Sequence, residues 1–336
     1  MTLAGFKVYD DYIVLLCRLV IVIRKLALAH PSAPDLPLIK QIENQKNKLF
    51  HLKILIMKTK VWFVTGASKG FGLEIVKAVL AAGDKVVATV RNNAAGLQNE
   101  VGNPENLLVV TMDVVNEDEV KRAVKDGIDR FGQLDVVVNN AGFGIVAAIE
   151  EASDAEVRRQ YDTNVFGLLN VTRAVLPNMR ERKAGHIINI SSLFGYGALP
   201  AWALYGSTKY AVEGISEGLA LELAPFNIKV TALAPGLFRT QFLNAQSYAS
   251  ATSAIPDYDQ TMVGQMKNVP DALHGNQPGD PAKLAKVIVE LAATENPPLH
   301  LPVGKDSLES YRTNSAKVSQ EIEAWADKFT PTEVTA

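Results

Sequence analysis

The chain has 336 residues, 48% of them hydrophobic, which is ample for a large buried core and suits one catalytic domain. Its 34 basic and 36 acidic residues are scattered, giving a net charge of −2 and no polybasic footprint for nucleic acid or an anionic membrane. The single cysteine, Cys17, excludes an intramolecular disulfide and a cysteine metal cluster, so a reducing, cytoplasmic setting without a bound metal is the expectation.

Residues 1–56 differ in character from the rest. The run Tyr12 to Lys25 is apolar but broken by Arg18 and closed by Arg24 and Lys25, short of the roughly 20 apolar residues that span a bilayer. Asp10 and Asp11 ahead of it disfavour a signal peptide, and Pro31 to Lys48 is polar and linker-like. Met57 directly precedes the first strand pattern. Residues 1–56 are therefore expected to be a dispensable or disordered extension, an upstream start codon being one form of that hypothesis, and 57–336 the single catalytic domain.

From Val61 a β-branched and aromatic run ends in the glycines of Thr65-Gly-Ala-Ser-Lys-Gly-Phe-Gly72 and passes into a helical pattern from Leu73 to Leu80. This predicts strand, tight turn, helix. Gly66, Gly70 and Gly72 would let the backbone approach a pyrophosphate, which the N–H groups and partial charge of the new helix then attract. Their spacing, Gly-x-x-x-Gly-x-Gly, departs from the commoner Gly-x-Gly-x-x-Gly. Further short apolar runs follow at Val86–Val90, Leu107–Thr111, Leu134–Val138, His186–Ile190, Lys229–Leu233 and Leu299–Pro302, separated by longer helical stretches. Strands alternating with helices, and apolar throughout, imply an α/β fold with a doubly wound parallel sheet of about seven strands covered on both faces. Ligands bind such sheets beyond the carboxyl ends of the strands. His186 begins one of these strands and is expected to be a satisfied structural residue.

In Ala203 to Tyr210, Tyr205 and Lys209 stand one helical turn apart and share a face. A free phenol titrates near pH 10, so acid/base work at neutral pH needs a shift of about three units, or roughly 4 kcal/mol. A cation about 4 Å away at an effective dielectric of about 20 supplies roughly that. The serine pair Ser191-Ser192 lacks a Gly-x-Ser-x-Gly elbow and a suitable following histidine, which sets a serine hydrolase aside.

Taken together, Thr65 to Gly72, Asp113-Val114, Asn139-Asn-Ala-Gly142, Asn164, Ser191-Ser192, Tyr205 with Lys209, and Pro235-Gly236 with Thr240 resemble the short-chain dehydrogenase/reductase family of the classical type, over about Met57 to the C-terminus. Gly279 to Lys283 and Asn296 to Gly304 resemble the hydroxysteroid dehydrogenase-like group. The resemblance implies a Rossmann fold and an oxidoreductase that interconverts a carbonyl and a secondary alcohol by hydride transfer, with Tyr205 as acid/base. Ser192, thirteen residues before Tyr205, would hydrogen-bond the substrate oxygen, with Ser191 the runner-up of the pair. Lys209 would lower the Tyr205 pKa and hold the ribose, and Asn164 would interrupt a helix and help hold a water near the lysine. The expected cofactor contacts are Gly66, Ser68, Lys69, Gly70, Phe71, Gly72, Arg91, Asp113, Val114, Asn140, Tyr205, Lys209, Pro235, Gly236 and Thr240. Asp113 would accept from adenine, Val114 pack on its ring, and Asn140 line the ribose, while Asn139 braces strands.

An NAD site usually ends its second strand with an acid, but here Val90 stands at that place, followed by Arg91. With Arg91 and Lys69 to meet a 2′-phosphate, NADP(H) is favoured over NAD(H). Residues 237–278 are expected to form a mobile substrate lid. With Phe143, Phe194, Tyr196 and Trp202, its Phe238, Phe242, Tyr248 and Tyr258 suggest an apolar or aromatic ketone or alcohol as the small-molecule substrate. The helices 154–182 and 202–224 are the candidate interface of a homodimer or homotetramer, as the resemblance implies. A non-catalytic dinucleotide-sensing or scaffold protein is the alternative from another class.

Overall fold

The computed structural model describes residues 59–244 and 248–329, and the described residues from Lys60 onward belong to one compact unit. The expectations for residues 1–56 lie outside the described residues. Strands and helices first alternate as β1 (Val61–Val64), α1 (Gly70–Ala81), β2 (Lys85–Val90), α2 (Ala94–Val101), β3 (Leu107–Thr111), α3 (Glu117–Phe131) and β4 (Val136–Asn139). After the short β5 (Gly144–Val146) come α4 (Asp154–Tyr161), a π-type turn (Asp162–Phe166), α5 (Gly167–Arg182), β6 (Gly185–Ile190), α6 (Ala203–Leu223) and β7 (Ile228–Pro235). The remainder holds β8 (Tyr248–Ser250), α7 (Met262–Lys267), α8 (Val269–Leu273), α9 (Pro281–Ala293), β9 (His300–Val303), α10 (Lys305–Glu323) and α11 (Ala326–Phe329).

Seven strands form one sheet in the order β3-β2-β1-β4-β6-β7-β9, every neighbouring pair parallel. Because successive side chains leave opposite faces of a strand, β1 feeds two cores. Trp62 and Val64 pack with Ile75 and Val79 of α1 and Leu284 and Ile288 of α9. Phe63 packs on the other face with Val124 of α3 and Val171, Val175 and Met179 of α5. Both faces are thus dry, which is why these strands read as continuous apolar runs. The chain order reverses between β1 and β4, and at such a switch point the carboxyl ends diverge to open a crevice.

Two buried polar devices join strands on the β4 side of that point. Asn139 at the end of β4 donates to Asn189 Oδ1 at 2.8 Å, the bracing expected of it. His186 is buried with Nε2 3.0 Å from Thr231 Oγ1, and Thr231 donates its own proton to Pro298 O at 2.7 Å. His186 is therefore the Nε2–H tautomer, and burial pushes it down to about 4, with the Lys229 charge adding to the effect. It is the satisfied structural residue expected.

Residues 237–278 carry regular structure. Strand β8 pairs in parallel with β5, and α7 and α8 follow. Lys267 at the end of α7 forms an ion pair with Glu151, whose side chain is 1% exposed. Burial opposes ionisation of Glu151, but Lys267 and the N–H groups of Ile255 and Ala148 prevail and hold its carboxyl below the usual range. Thr252 N donates to Glu156 Oε1 at 3.0 Å, and Tyr258 OH donates to Glu150. Acids of the segment after β5 thereby hold this segment in place. Among the described residues no helix is long and apolar enough to cross a membrane, and no group of three metal-ligating side chains occurs.

Candidate active site

A cavity of about 750 Å³ opens beyond the carboxyl ends of the central strands, and most of the expected site residues lie on its wall. The turn after β1 supplies Gly66, Ser68, Lys69, Gly70 and Phe71. Gly66 and Gly70 have φ of 66° and 58°, the left-handed region where a side chain is strained. Gly72 is not on the wall, contrary to expectation. A Cβ there would stand 2.3 Å from Gly66 O and 2.8 Å from both Ala67 Cα and Asn140 Nδ2, so its small size folds the turn onto itself.

Thr65, given no role from the sequence, organises that turn. Its hydroxyl accepts from the N–H groups of Asn140 and Ala141 at 2.9 and 3.0 Å and donates to Val138 O at 3.3 Å. Asn140 lines the cavity, but its amide donates to Thr65 O and Gly66 O at 2.8 and 3.2 Å. Its shown work is to clasp the glycine turn to the end of β4.

At the end of β2 the wall is made by Arg91 and Asn92, whereas Val90 is 1% exposed and packs into the core. The comparison of Val90 with an acid facing a ribose therefore needs correction: the position that faces the cavity is one residue later and holds a cation. Asp113 and Val114 line the next stretch, with Val114 so close to Gly167 that a Cβ there would be 2.6 Å from Val114 Cγ2. Pro235, Gly236 and Thr240 close the far side. Asp306, an unanticipated contributor at the start of α10, receives Leu237 N at 2.6 Å, and a Cβ on Gly236 would meet its Oδ1 at 2.0 Å. This carboxylate holds the chain in the bend that presents Gly236 to the cavity.

Ser192, Tyr205 and Lys209 come together on the wall. Ser192 Oγ accepts from Phe194 N at 3.2 Å, which leaves its proton to donate. Lys209 Nζ donates to Ile190 O at 2.7 Å and sits 5.6 Å from the centre of the Tyr205 ring. Burial pushes Lys209 down to about 8, against the opposing pull of the Glu213 charge. For Tyr205 the structure overturns the expected depression: burial pushes the phenol up, and only the hydrogen bond from Ser192 acts the other way. The ammonium lies over the ring with one proton given to a carbonyl and two left to donate, and no hydrogen bond joins it to the phenolic oxygen.

Asn164 sits, as expected, in the π-type turn that interrupts the helix. Both of its amide protons are used, to Phe143 O at 2.9 Å and Thr208 Oγ1 at 3.1 Å, while Oδ1 accepts from Phe143 N at 3.1 Å. Its side chain fixes the β4–β5 connection and is not part of the cavity wall. A water near the lysine would have to be held by main-chain groups of the widened turn.

Aromatic rings surround the phenol. Phe242, Phe194 and Trp202 stand 5.5, 5.8 and 5.9 Å from the Tyr205 ring, centre to centre. Phe143, Phe238 and Tyr248 also line the cavity, whereas Tyr196 packs on Tyr311 and Tyr258 turns to Glu150. The segment 237–278 adds Leu243, Met266 and Leu273 to the wall, residues that no motif singles out. Among the described residues Asp113 is the one carboxylate of the wall, set against Lys69, Arg91, Arg159 and Lys209.

Comparison with known proteins agrees with this arrangement. Residues 60–250 match the family profile of short chain dehydrogenases. The chain is 38% identical over 272 residues to the oxidoreductase BOA17 of Botryotinia fuckeliana, covering 80% of this chain and 97% of that protein. It is 38% identical over 248 residues to the 3-ketodihydrosphingosine reductase of Bacteroides thetaiotaomicron, covering 74% and 89%. A short-chain dehydrogenase from Streptomyces avermitilis superposes with a TM-score of 0.76 at 38% identity, covering 82% of this chain and 100% of that one. ElxO with NADP bound matches at a TM-score of 0.62 and 28% identity over 75% and 99% of the two chains. A 3-ketoacyl-(acyl-carrier-protein) reductase from Brucella melitensis complexed with NADH matches at 0.62 and 30% over 74% and 98%. With the parallel sheet, the glycine turn at its switch point and the Ser192, Tyr205 and Lys209 wall already in place, these likenesses lead to one conclusion: the chain belongs to the short-chain dehydrogenase/reductase family of oxidoreductases.

Proposed function

We propose that the protein is an NADP(H)-dependent carbonyl reductase of an apolar or aromatic ketone. The convergence of Ser192, Tyr205 and Lys209 on one cavity with the glycine turn carries this reading. Bound nicotinamide would supply the hydride. Ser192, whose hydroxyl faces the Tyr205 phenol, would turn its proton to the carbonyl oxygen, and Tyr205 passes its proton to the same oxygen as negative charge develops there. The same phenol gives its proton in reduction and takes it back in alcohol oxidation. Lys209 sets the charge beside the ring and, from its place on the wall, is within the region where a ribose would lie.

The preference for NADP(H) rests on Arg91 and Lys69 on the wall and on Asp113 being, among the described residues, its one acid. The guanidinium of Arg91 suits forked hydrogen bonding to a 2′-phosphate. The substrate class rests on the rings around Tyr205 and on the aliphatic lid. Pairing of subunits is supported by Phe166, Tyr210 and Leu221, which are 53, 45 and 80% exposed on the long helices expected to meet.

The test is NADPH oxidation, followed by near-ultraviolet absorbance, over a panel of ketones, aldehydes and steroids, with NADH in parallel. Turnover faster with NADPH and selective for apolar carbonyls supports the reading. Tighter binding and faster turnover with NADH overturns the cofactor choice, and tight cofactor binding without turnover on any carbonyl favours a sensing protein.

A further inference from the structure

The chemistry above leaves one buried acid without a task. Glu213 lies on α6 four residues after Lys209 and eight after Tyr205, so the three share a helix face. Its side chain is 8% exposed, and Oε2 stands 2.9 Å from His300 Nδ1 on β9. The other ring nitrogen of His300 is 3.3 Å from Oε1 of Glu217, whose side chain is 58% exposed, so the string runs from the interior to solvent.

The second oxygen of Glu213 faces inward. A Cβ on Gly195 would lie 2.7 Å from Ser191 Oγ and 3.3 Å from Glu213 Oε1, which places both beside this glycine. Neither atom closes a hydrogen bond of normal geometry, nor does the buried Tyr196 hydroxyl, whose ring packs on Tyr311 of α10. The titratable groups around Glu213 are thus Lys209 and Glu217 on α6, His300 on β9, Tyr196 after Ser192, and Tyr311 on α10. Within this set the cation without a carboxylate partner is Lys209, whose hydrogen bond goes to a carbonyl.

We propose, on the basis of the reductase reading, that Glu213 is a positioning residue that keeps Lys209 charged in its buried place, with His300 and Glu217 tying that carboxylate to the surface. A buried ammonium beside a phenol loses its proton unless a negative charge is close. Burial raises the Glu213 carboxyl above the usual range even against the pull of Ser191 and His300, so its charged form leans on those two contacts. His300 therefore anchors the charge that Lys209 depends on.

The experiment follows the ionisation of Lys209 by NMR in protein carrying 13C-labelled lysine, the signal assigned with Lys209→Arg, in the parent, Glu213→Gln and Glu213→Asp. The Lys209 titration, near pH 8 in the parent, is expected to move at least about one pH unit toward acid in Glu213→Gln and partly back in Glu213→Asp. The alkaline fall of the reduction rate should move with it. His300→Gln, a change at the solvent end that leaves the core intact, should shift the titration in the same direction by less. An unchanged Lys209 titration in Glu213→Gln, or in His300→Gln if the first variant does not fold, overturns the proposal even if melting temperature drops. Since the NMR readout needs no turnover, absence of carbonyl reduction would count against the function and not against this coupling.

Discussion

Gly72→Ala is a sharp perturbation because two opposing effects can be sized. Alanine in a helix is better than glycine by about 1 kcal/mol, so on α1 alone the change would stabilise. Its Cβ, however, would stand 2.3 Å from Gly66 O and 2.8 Å from Ala67 Cα, against an ordinary contact of about 3.5 Å. The obstacle is backbone, so the turn has to give by about 1 Å, and forced overpacking of this kind costs roughly 1–3 kcal/mol. That displacement falls on the segment held by Asn140 and lined up with the cavity. If the turn carries the strain, the cofactor complex weakens by about 5- to 150-fold, at one decade per 1.4 kcal/mol. Isothermal titration of NADPH into parent and variant, with thermal melts of both, measures this. A dissociation constant within twofold of the parent together with an unchanged or higher melting temperature would refute the reasoning.

Other expectations follow from individual groups. Arg91→Ala should weaken NADPH about tenfold and leave NADH within twofold, a modest effect because the guanidinium is exposed; equal losses for both cofactors would remove Arg91 from 2′-phosphate recognition. His186, held neutral with its pKa at about 4, takes up a proton near pH 6.5 in the unfolded chain, so its contribution is full above about pH 6.5 and falls as pH drops toward 4. At pH 5 urea unfolding should show the parent losing about 2 kcal/mol, relative to pH 7.5, that His186→Val does not lose. Lys267→Met leaves the Glu151 carboxylate buried without its cation and should cost about 3 kcal/mol, the lower end for a broken buried pair because two N–H groups still hold it; the double change with Glu151→Gln should recover most of that in a thermal melt.

The parts of this molecule that declare themselves in the sequence are those where one physical constraint acts alone. Strands covered on both faces have to be apolar throughout, so Val61–Val64 and Val86–Val90 stand out without any neighbour being known. Tyr205 and Lys209 lie one turn apart in any helix. Where a role depends on what packs nearby, the linear reading fails in identifiable ways. Val90 and Arg91 are adjacent, and only the pleat decides which faces the core. The Tyr205–Lys209 spacing suggests a lowered phenol pKa, but it carries no sign of the burial beside Phe194, Trp202 and Phe242, which acts in the opposite direction. Asn164 marks the widened turn correctly, yet its amide is consumed by Phe143 and Thr208, partners brought in from other elements. Asp306 and Glu213 carried no motif at all, since each acts across distances in sequence of dozens of residues, on Leu237 and with His300.

The central claim is that Tyr205 is the acid that completes carbonyl reduction, while the turn at Gly66 and Gly70 holds the cofactor independently of it. Single-turnover NADPH oxidation with a carbonyl substrate, compared between the parent and Tyr205→Phe with NADPH affinity measured alongside, tests both halves at once. Unchanged NADPH affinity with a rate reduced at least about a hundredfold is the predicted result. A rate within a few fold of the parent would contradict it.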